Sequence, residues 1–274
     1  GYKNSFIFKY SPRPGTSAAR RLADDVPPAL LGELERHPDV VYVERPLYAE
    51  LPEPGLRAAE SRPKLLAVTS EGVAQMNVAA WHAAGFTGQG AKVGVIDLEF
   101  GGWEDLVGIE LPAAPATIYQ SFGGAQSSDD EVHGTACAEI VHDIAPDAEL
   151  YLAEIRTSND LYSALDWMAS EGVSVVTMSV GFYGGGPGDG TGTLNDEIAI
   201  FSAAADALFM TSAGNDRRSH WQGASTDANG NDWVDFSPGD DLNELSFSVS
   251  SGDRVAVNLT WNDWGSPTSN HSLH

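Results

Sequence analysis

Between residues 66 and 222, short apolar runs alternate with stretches whose apolar residues recur every three or four positions. Lys92–Asp97 (KVGVID), 149–155 (ELYLAEI), 173–180 (VSVVTMSV) and 207–213 (ALFMTSA) are near-continuous apolar runs. Such runs suit strands buried on both faces of a parallel sheet. Between them, Cys137, Ile140, Val141 and Ile144 fall at helical spacing over 133–145. Leu161, Leu165 and Met168 do so over 159–170, and Leu194, Ile198, Phe201 and Ala205 over 194–205, where Thr193 is the expected N-cap. The alternation predicts an α/β class: a doubly wound, mostly parallel sheet with crossover helices. Ligand sites in such sheets lie at the carboxyl ends of the strands.

The flanks follow other patterns. Residues 1–65 hold a strand at Ser5–Tyr10, a short helix over 29–37 with Leu30, Leu31 and Leu34 on one face, and a strand at Val40–Glu44. Residues 46–63, rich in Pro, Glu and Ala, read as a linker. This gives a small N-terminal α+β region. Residues 223–274 run through Gly, Asn and Asp loops into 244–249 and 254–261, both alternating apolar and polar as half-exposed antiparallel strands do. They predict the start of an inserted or appended β-rich domain. The expected organisation is thus 1–65, 66–222 and 223–274.

The formal charge of −24 removes nucleic acid and acidic membrane surfaces from the expected partners, since a polyanion repels both. It also fits a soluble secreted surface. No apolar run reaches the ~18 residues of a membrane span. With the single cysteine Cys137, no intrachain disulfide can form. At one helical turn from His133, Cys137 is expected on the apolar, sheet-facing side, as an inert buried thiol that does not reach the His133 ring.

Asp97 closes the first apolar run, and a carboxylate there can orient an imidazole or simply form a turn. His133 opens a helical stretch followed by the small residues Gly134, Thr135 and Ala136. The positive end of the helix dipole is expected to lower its pKa, as suits a general base; a capping or core His is the other reading. Asn215 follows the fourth run, where its amide can donate to an oxyanion or tolerate a left-handed turn. Asp227, Asn229, Asn231 and Asp232, with Asp235, place oxygen-bearing side chains at alternating positions, a pattern that can wrap Ca²⁺ or form a plain turn.

Together these segments resemble the subtilisin-like serine peptidases, the subtilases. The stretch from Gly88 to Asp97 resembles the segment around the family's catalytic Asp, and His133-Gly134-Thr135-Ala136-Cys137-Ala138 the catalytic His segment. Ser179-Val180-Gly181 resembles the strand end that pairs with substrate backbone, and Ala213-Gly214-Asn215 the oxyanion Asn segment. The resemblance implies a subtilisin-like fold, secretion, and peptide-bond hydrolysis through an acyl-enzyme, with Asp97, His133 and Asn215 as catalytic residues. It also implies substrate contacts from Ser179, Val180, Gly181, Ala213 and Gly214. The stretch from His37 to Glu44 resembles the end of a subtilase propeptide, and that resemblance implies a zymogen in which residues 1–65 are expected to cover the cleft.

Three departures stand out. Leu98-Glu99-Phe100 follows Asp97 in place of small residues, and Glu139 stands where Gly is usual. No Gly-Thr-Ser-x-Ala segment occurs in the 274 residues; Gly265-Ser266-Pro267-Thr268-Ser269 follows a β-like stretch and opens no small-residue helix. The nucleophile is therefore expected outside this sequence, and these residues alone are expected to be inactive. The partners would be a peptide or protein substrate and the missing C-terminal part. A non-catalytic relative that binds peptide in the same cleft is the alternative. A phosphate-binding protein is disfavoured, because Asp97 and Glu99 would repel phosphate after the first strand.

Overall fold

The computed structural model describes residues 5–10, 20–25, 28–34, 36–38, 40–44, 46–51, 69–124, 127–215, 220–238 and 257–261. The four expected strand runs and one further strand form a five-stranded, all-parallel sheet. Its strands are β4 (Lys92–Asp97), β5 (Thr117–Ser121), β6 (Glu149–Glu154), β7 (Val175–Met178) and β8 (Leu208–Thr211), in the order β5-β6-β4-β7-β8. Crossovers run through α4 (His133–Ile144), α5 (Ser158–Glu171) and α6 (Thr193–Ala205). Two short helices, α2 (Glu71–Gln75) and α3 (Val78–Ala83), precede β4.

Alternation along each strand divides the core between two faces. Val93, Val95, Leu150 and Leu152 point toward one cluster with Phe100, Leu106 and Ala138. Ile96, Tyr151, Ala153, Val176 and Met178 enter the other, with Leu161, Leu165, Met168 and Phe201 of α5 and α6. Both faces being covered explains why β4 and β6 read as unbroken apolar runs, whereas the edge strand β8 keeps apolar Leu208 and Met210 exposed. A Cβ at Gly94 would lie 2.6 Å from Met168 Sδ, so the bare backbone there lets α5 pack directly on β4. Thr157 caps α5: its hydroxyl accepts from Asp160 N (3.3 Å), and the Asp160 carboxylate accepts from Thr157 N (2.8 Å). This reciprocal cap closes one end and Gly172, at φ 74°, the other.

Register fixes the site. Asp97 lies opposite Glu154, and Met178 lies opposite both Ile96 and Thr211. The carboxyl ends of β4, β6, β7 and β8 therefore form one rim. From it the chain leaves β4 toward β5 and β6 on one side and reaches β7 and β8 on the other, which opens a crevice at the end of β4.

Several expectations need correction. The sequence reading missed β5, a short edge strand whose residues TIYQS are half-polar. The N-cap of α6 is Gly192, and Thr193 is its first helical residue. In the N-terminal region the two expected strands, β1 (Ser5–Tyr10) and β3 (Val40–Glu44), pair antiparallel, and β1 pairs also with β2 (Arg20–Asp25), whose charged sequence hid it. Helix α1 spans Pro28–Leu34, shorter than 29–37, since Pro38 disfavours helix at the residue before it. Residues 46–51 are not a free linker: Tyr48 bridges Thr157 and Glu50 bridges Gly181 in antiparallel fashion. The signal was the alternation of Leu47, Ala49 and Leu51. Residues 257–261 are not in a strand, and 244–249 and 254–256 lie outside the described residues. No helix among the described residues is long and apolar enough to cross a membrane.

Candidate active site

Asp97 is the last residue of β4 and fully buried. One carboxylate oxygen, Oδ1, accepts from the backbone N–H groups of Leu98 (2.8 Å) and Glu99 (3.3 Å). The other, Oδ2, lies 2.8 Å from Nδ1 of His133, the first residue of α4. The carboxylate is thus fixed by its own turn and offers one acceptor to the ring. A fixed acceptor at Nδ1 selects the tautomer that leaves Nε2 free to take a proton.

The dipole expectation for His133 has to be reversed. The hydrogen bond and charge of Asp97 raise the His133 pKa above its ordinary value, outweighing the burial that lowers it; the Glu99 carboxylate adds to the rise. A carboxylate in direct contact outweighs a terminal dipole, whose effect is about 0.3–1 kcal/mol. The raised pKa means that the ion pair stabilises the folded state below the unfolded pKa, and that this contribution is lost as pH rises through the folded value.

Gly134 makes the close approach possible. A Cβ there would lie 2.6 Å from Asp97 Cβ, 2.7 Å from the Glu99 carbonyl and 2.9 Å from the Phe100 ring, while Gly134 N donates to that carbonyl at 2.6 Å. Two of these neighbours belong to the turn that holds Asp97. Replacing Gly134 with Ala should cost about 1–3 kcal/mol by overpacking. It should also separate Nδ1 from Oδ2, so that His133 titrates near its ordinary pKa; denaturant unfolding and ring-proton NMR measure the two effects.

Cys137 sits closer to the site than its position on α4 suggested. Its Sγ and the ligand atoms of Asp97 and His133 lie within 4.8 Å of one another. Burial raises the thiol pKa to about 11, the Asp97 charge adding to it. A thiol held protonated is a poor nucleophile, and its place beside the His133 ring corrects the expectation that it does not reach that ring.

Glu154, fully buried at the end of β6, went unnoticed in the sequence. Its Oε2 accepts from Tyr119 Oη (2.8 Å) and Ser127 Oγ (3.0 Å), and Oε1 lies 3.2 Å from Arg156 Nη2. Ser127 Oγ in turn accepts from Phe100 N (3.1 Å). Glu154 therefore anchors the loop that follows Asp97. At Glu99, a departure from the family pattern, burial and then Glu131 raise the pKa. A charged side chain ending a buried apolar strand was the available signal for Glu154.

The other expected residues lie on the same rim. Ser179, Val180 and Gly181 extend from β7, and Gly181 exchanges both backbone hydrogen bonds with Glu50 at 2.8 Å. On the opposite side of the 47–51 segment, Ala49 N donates to the Arg156 carbonyl (2.8 Å) and Ser158 N to the Leu47 carbonyl (2.8 Å). The segment is thus an extended strand between the ends of β6 and β7, with Ala49 buried among Leu161, Val180 and their neighbours. Ala213, Gly214 and Asn215 are exposed just past β8, where Ser212 N reaches the Met178 carbonyl at 3.1 Å. Asp227 to Asp235 form a separate loop.

The profile of the subtilase family, Peptidase_S8, matches residues 88–258. The chain belongs to the subtilase family. Among solved structures, fervidolysin from Fervidobacterium pennivorans, a keratinolytic enzyme related to subtilisin, covers 78% of this chain at 12% identity and a TM-score of 0.50. At that identity the likeness supports the subtilisin-like fold. Two others match at TM-scores below it. The MycP3 protease of the type VII (ESX-3) secretion system has 19% identity, 72% coverage and a TM-score of 0.40. The prenylagaramide maturation protease PagA has 18%, 51% and 0.36. This subtilase chain spans 40%, 56% and 51% of the lengths of those three chains, respectively. No curated protein matches the sequence.

Proposed function

We propose that this chain is the part of a secreted serine endopeptidase that carries the catalytic Asp and His, and that it acts with a nucleophilic Ser supplied from outside residues 1–274. The observation that carries the reading is the 2.8 Å contact between buried Asp97 and His133, beside a strand edge that already holds an extended peptide segment. His133 Nε2 takes the Ser proton as Oγ attacks the peptide carbonyl, then gives it to the leaving amine. Asp97 holds the ring and stabilises the imidazolium. Asn215 donates to the oxyanion of the tetrahedral intermediate. The Ser179–Gly181 edge, with Ala213 and Gly214 across the cleft, aligns the substrate by strand addition.

In this reading residues 1–65 are a propeptide, and the 47–51 strand occupies the place of a substrate, which supports a zymogen. The substrate is a peptide or protein and not a nucleic acid, in keeping with the charge of −24.

A fluorophosphonate probe tests the reading. Residues 1–274 alone should neither react with it nor hydrolyse peptides. A longer form carrying a Gly-Thr-Ser-x-Ala segment should be labelled, and His133→Ala should abolish that labelling. Stoichiometric labelling of the 274-residue chain, or hydrolysis that survives His133→Ala, overturns it. A downstream sequence without such a segment favours the non-catalytic peptide binder.

A further inference from the structure

The loop from Asp227 to Asp235 has no part in the chemistry above. Asp227 Oδ1 accepts from Gly230 N (2.7 Å) and Asn231 N (3.1 Å), and its Oδ2 from Asp232 N (2.9 Å). Asn229 Oδ1 accepts from Asn231 N (3.0 Å), and Asn231 Oδ1 from Trp233 N (2.9 Å). Oxygens at every second position are thereby folded over the loop's own backbone. On their own these contacts would describe a tight turn.

Asp235 makes the turn reading incomplete. Only 8% of the residue is exposed. Its Oδ2 accepts from Ala228 N at 2.7 Å, which places the carboxylate against the second residue of the loop. Its Oδ1 is buried and has no hydrogen-bond partner among the described residues. A buried carboxylate oxygen without a donor costs about 1–3 kcal/mol, and more while the group is charged. The sequence from 220 to 238 contains no Lys or Arg, so the segment itself brings no cation to Asp235 or Asp227. A bound cation removes both costs at once.

We propose that residues 227–235 form a calcium site, liganded by the side-chain oxygens of Asp227, Asn229, Asn231 and Asp235 and by the backbone carbonyl of Trp233. The spacing is that of a calcium loop with ligands at positions 1, 3, 5, 7 and 9. Position 6 of such loops requires a sharp turn and is usually Gly. Here it is Asp232, at φ 69°, a left-handed conformation uncommon for any residue but Gly. Asp232 thus serves the turn and is not among the ligands. Position 12 falls on Pro238, so the bidentate Glu that closes tight sites is missing. Two carboxylates and mostly neutral oxygens place the affinity in the range of extracellular calcium modules, Kd of about 10⁻⁴–10⁻³ M. Mg²⁺, which demands a small octahedral shell and sheds water reluctantly, binds such a loop more weakly. The inference is independent of the peptidase reading.

Calorimetric titration of the EGTA-stripped chain with CaCl₂ tests it, alongside Tb³⁺ luminescence sensitised by Trp233. One Ca²⁺ should bind per chain in the stated range, with Mg²⁺ at least about tenfold weaker. The variants Asp227→Asn and Asp235→Asn should each weaken Ca²⁺ at least about tenfold, as expected when a charged ligand is lost. In EGTA, Asp235→Asn should unfold no earlier than the parent, because it removes a buried unpaired charge. Trp233→Phe should lose the luminescence and keep the calorimetric binding. Absence of binding by the parent at about ten times the upper Kd overturns the proposal. So does equal binding of Mg²⁺, or affinity that survives in both Asp variants, which would be diffuse attraction to an acidic surface. Because Asp227 is an exposed residue, its variant keeps the test decisive even if Asp235→Asn misfolds.

Discussion

Replacing Asp97 with Asn, in a form of the protein that carries the nucleophile, should lower kcat by about 10⁴-fold with little change in KM. The reason lies in how completely the carboxylate is committed. Oδ1 already accepts two backbone N–H groups and Oδ2 faces His133 Nδ1, with no exposure to water. An amide has one acceptor and one donor in place of two acceptors. If its oxygen faces the ring, its NH₂ meets the N–H groups of Leu98 and Glu99. If the NH₂ faces the ring, Nδ1 must accept, the proton moves to Nε2, and the general base is lost. The change should also bring the raised His133 pKa down toward its ordinary value, moving the acid limb of kcat/KM to lower pH as the remaining activity falls. Steady-state kinetics across pH, with ring-proton NMR on the same variant, reads both effects. A loss below tenfold with the fold intact would remove Asp97 from the mechanism.

How much of this was visible beforehand depended on whether a position is ruled by its neighbours in sequence or in space. The strands β4 and β6 were legible because burial on both faces writes itself as continuous apolar sequence, and the edge strand β8 because its residues LFMT are mostly apolar although Leu208 and Met210 are exposed. Strand β5 was not, because an edge strand packs on one side only and TIYQS satisfies that with two apolar residues. Asp97 and His133 were legible as a strand end and a helix start. Glu154 is equally a strand end, yet nothing in ELYLAEI announces that Tyr119 and Ser127, distant in the chain, will surround it. The same limit explains the error over His133. The helix dipole is local and can be read from sequence, whereas the stronger field of Asp97 arrives only through the packing of α4 on β4, which Gly134 permits. Cys137 differs for a local reason: at i+4 from His133 on α4 it shares that residue's helix face, which brings its sulfur beside the ring. The Pro, Glu and Ala content of residues 46–63 points to a linker, although Leu47, Ala49 and Leu51 alternate as strand residues do.

Loosening that 46–51 segment should raise the affinity of the cleft for an extended peptide by about 10- to 100-fold, the factor set by losing about 1–3 kcal/mol of tethered competition. The strand is held at two kinds of contact. Glu50 N and the Glu50 carbonyl both pair with Gly181 at 2.8 Å, and Ala49, 9% exposed, fills a space among Leu161, Val180 and their neighbours. Glu50→Pro removes the N–H that reaches the Gly181 carbonyl and fixes φ. Ala49→Trp cannot enter a space packed for a methyl group. The substitutions act through different physics on the same docked state, so both should release it. A tethered strand presents itself at an effective concentration of about millimolar, which is why an untethered peptide competes poorly with the parent chain. Fluorescence anisotropy of a labelled extended peptide measures the gain in the 274-residue chain without any need for the nucleophile. In a form that carries the nucleophile, kcat/KM should rise by the same factor while kcat stays constant, since a competitor that must leave before substrate binds weakens only binding. Unchanged peptide affinity in both variants would mean that residues 47–51 do not occupy the place of a substrate. The edge between β6 and β7 would then be a structural seam, and the cleft would have to be sought elsewhere on the rim around Asp97 and His133.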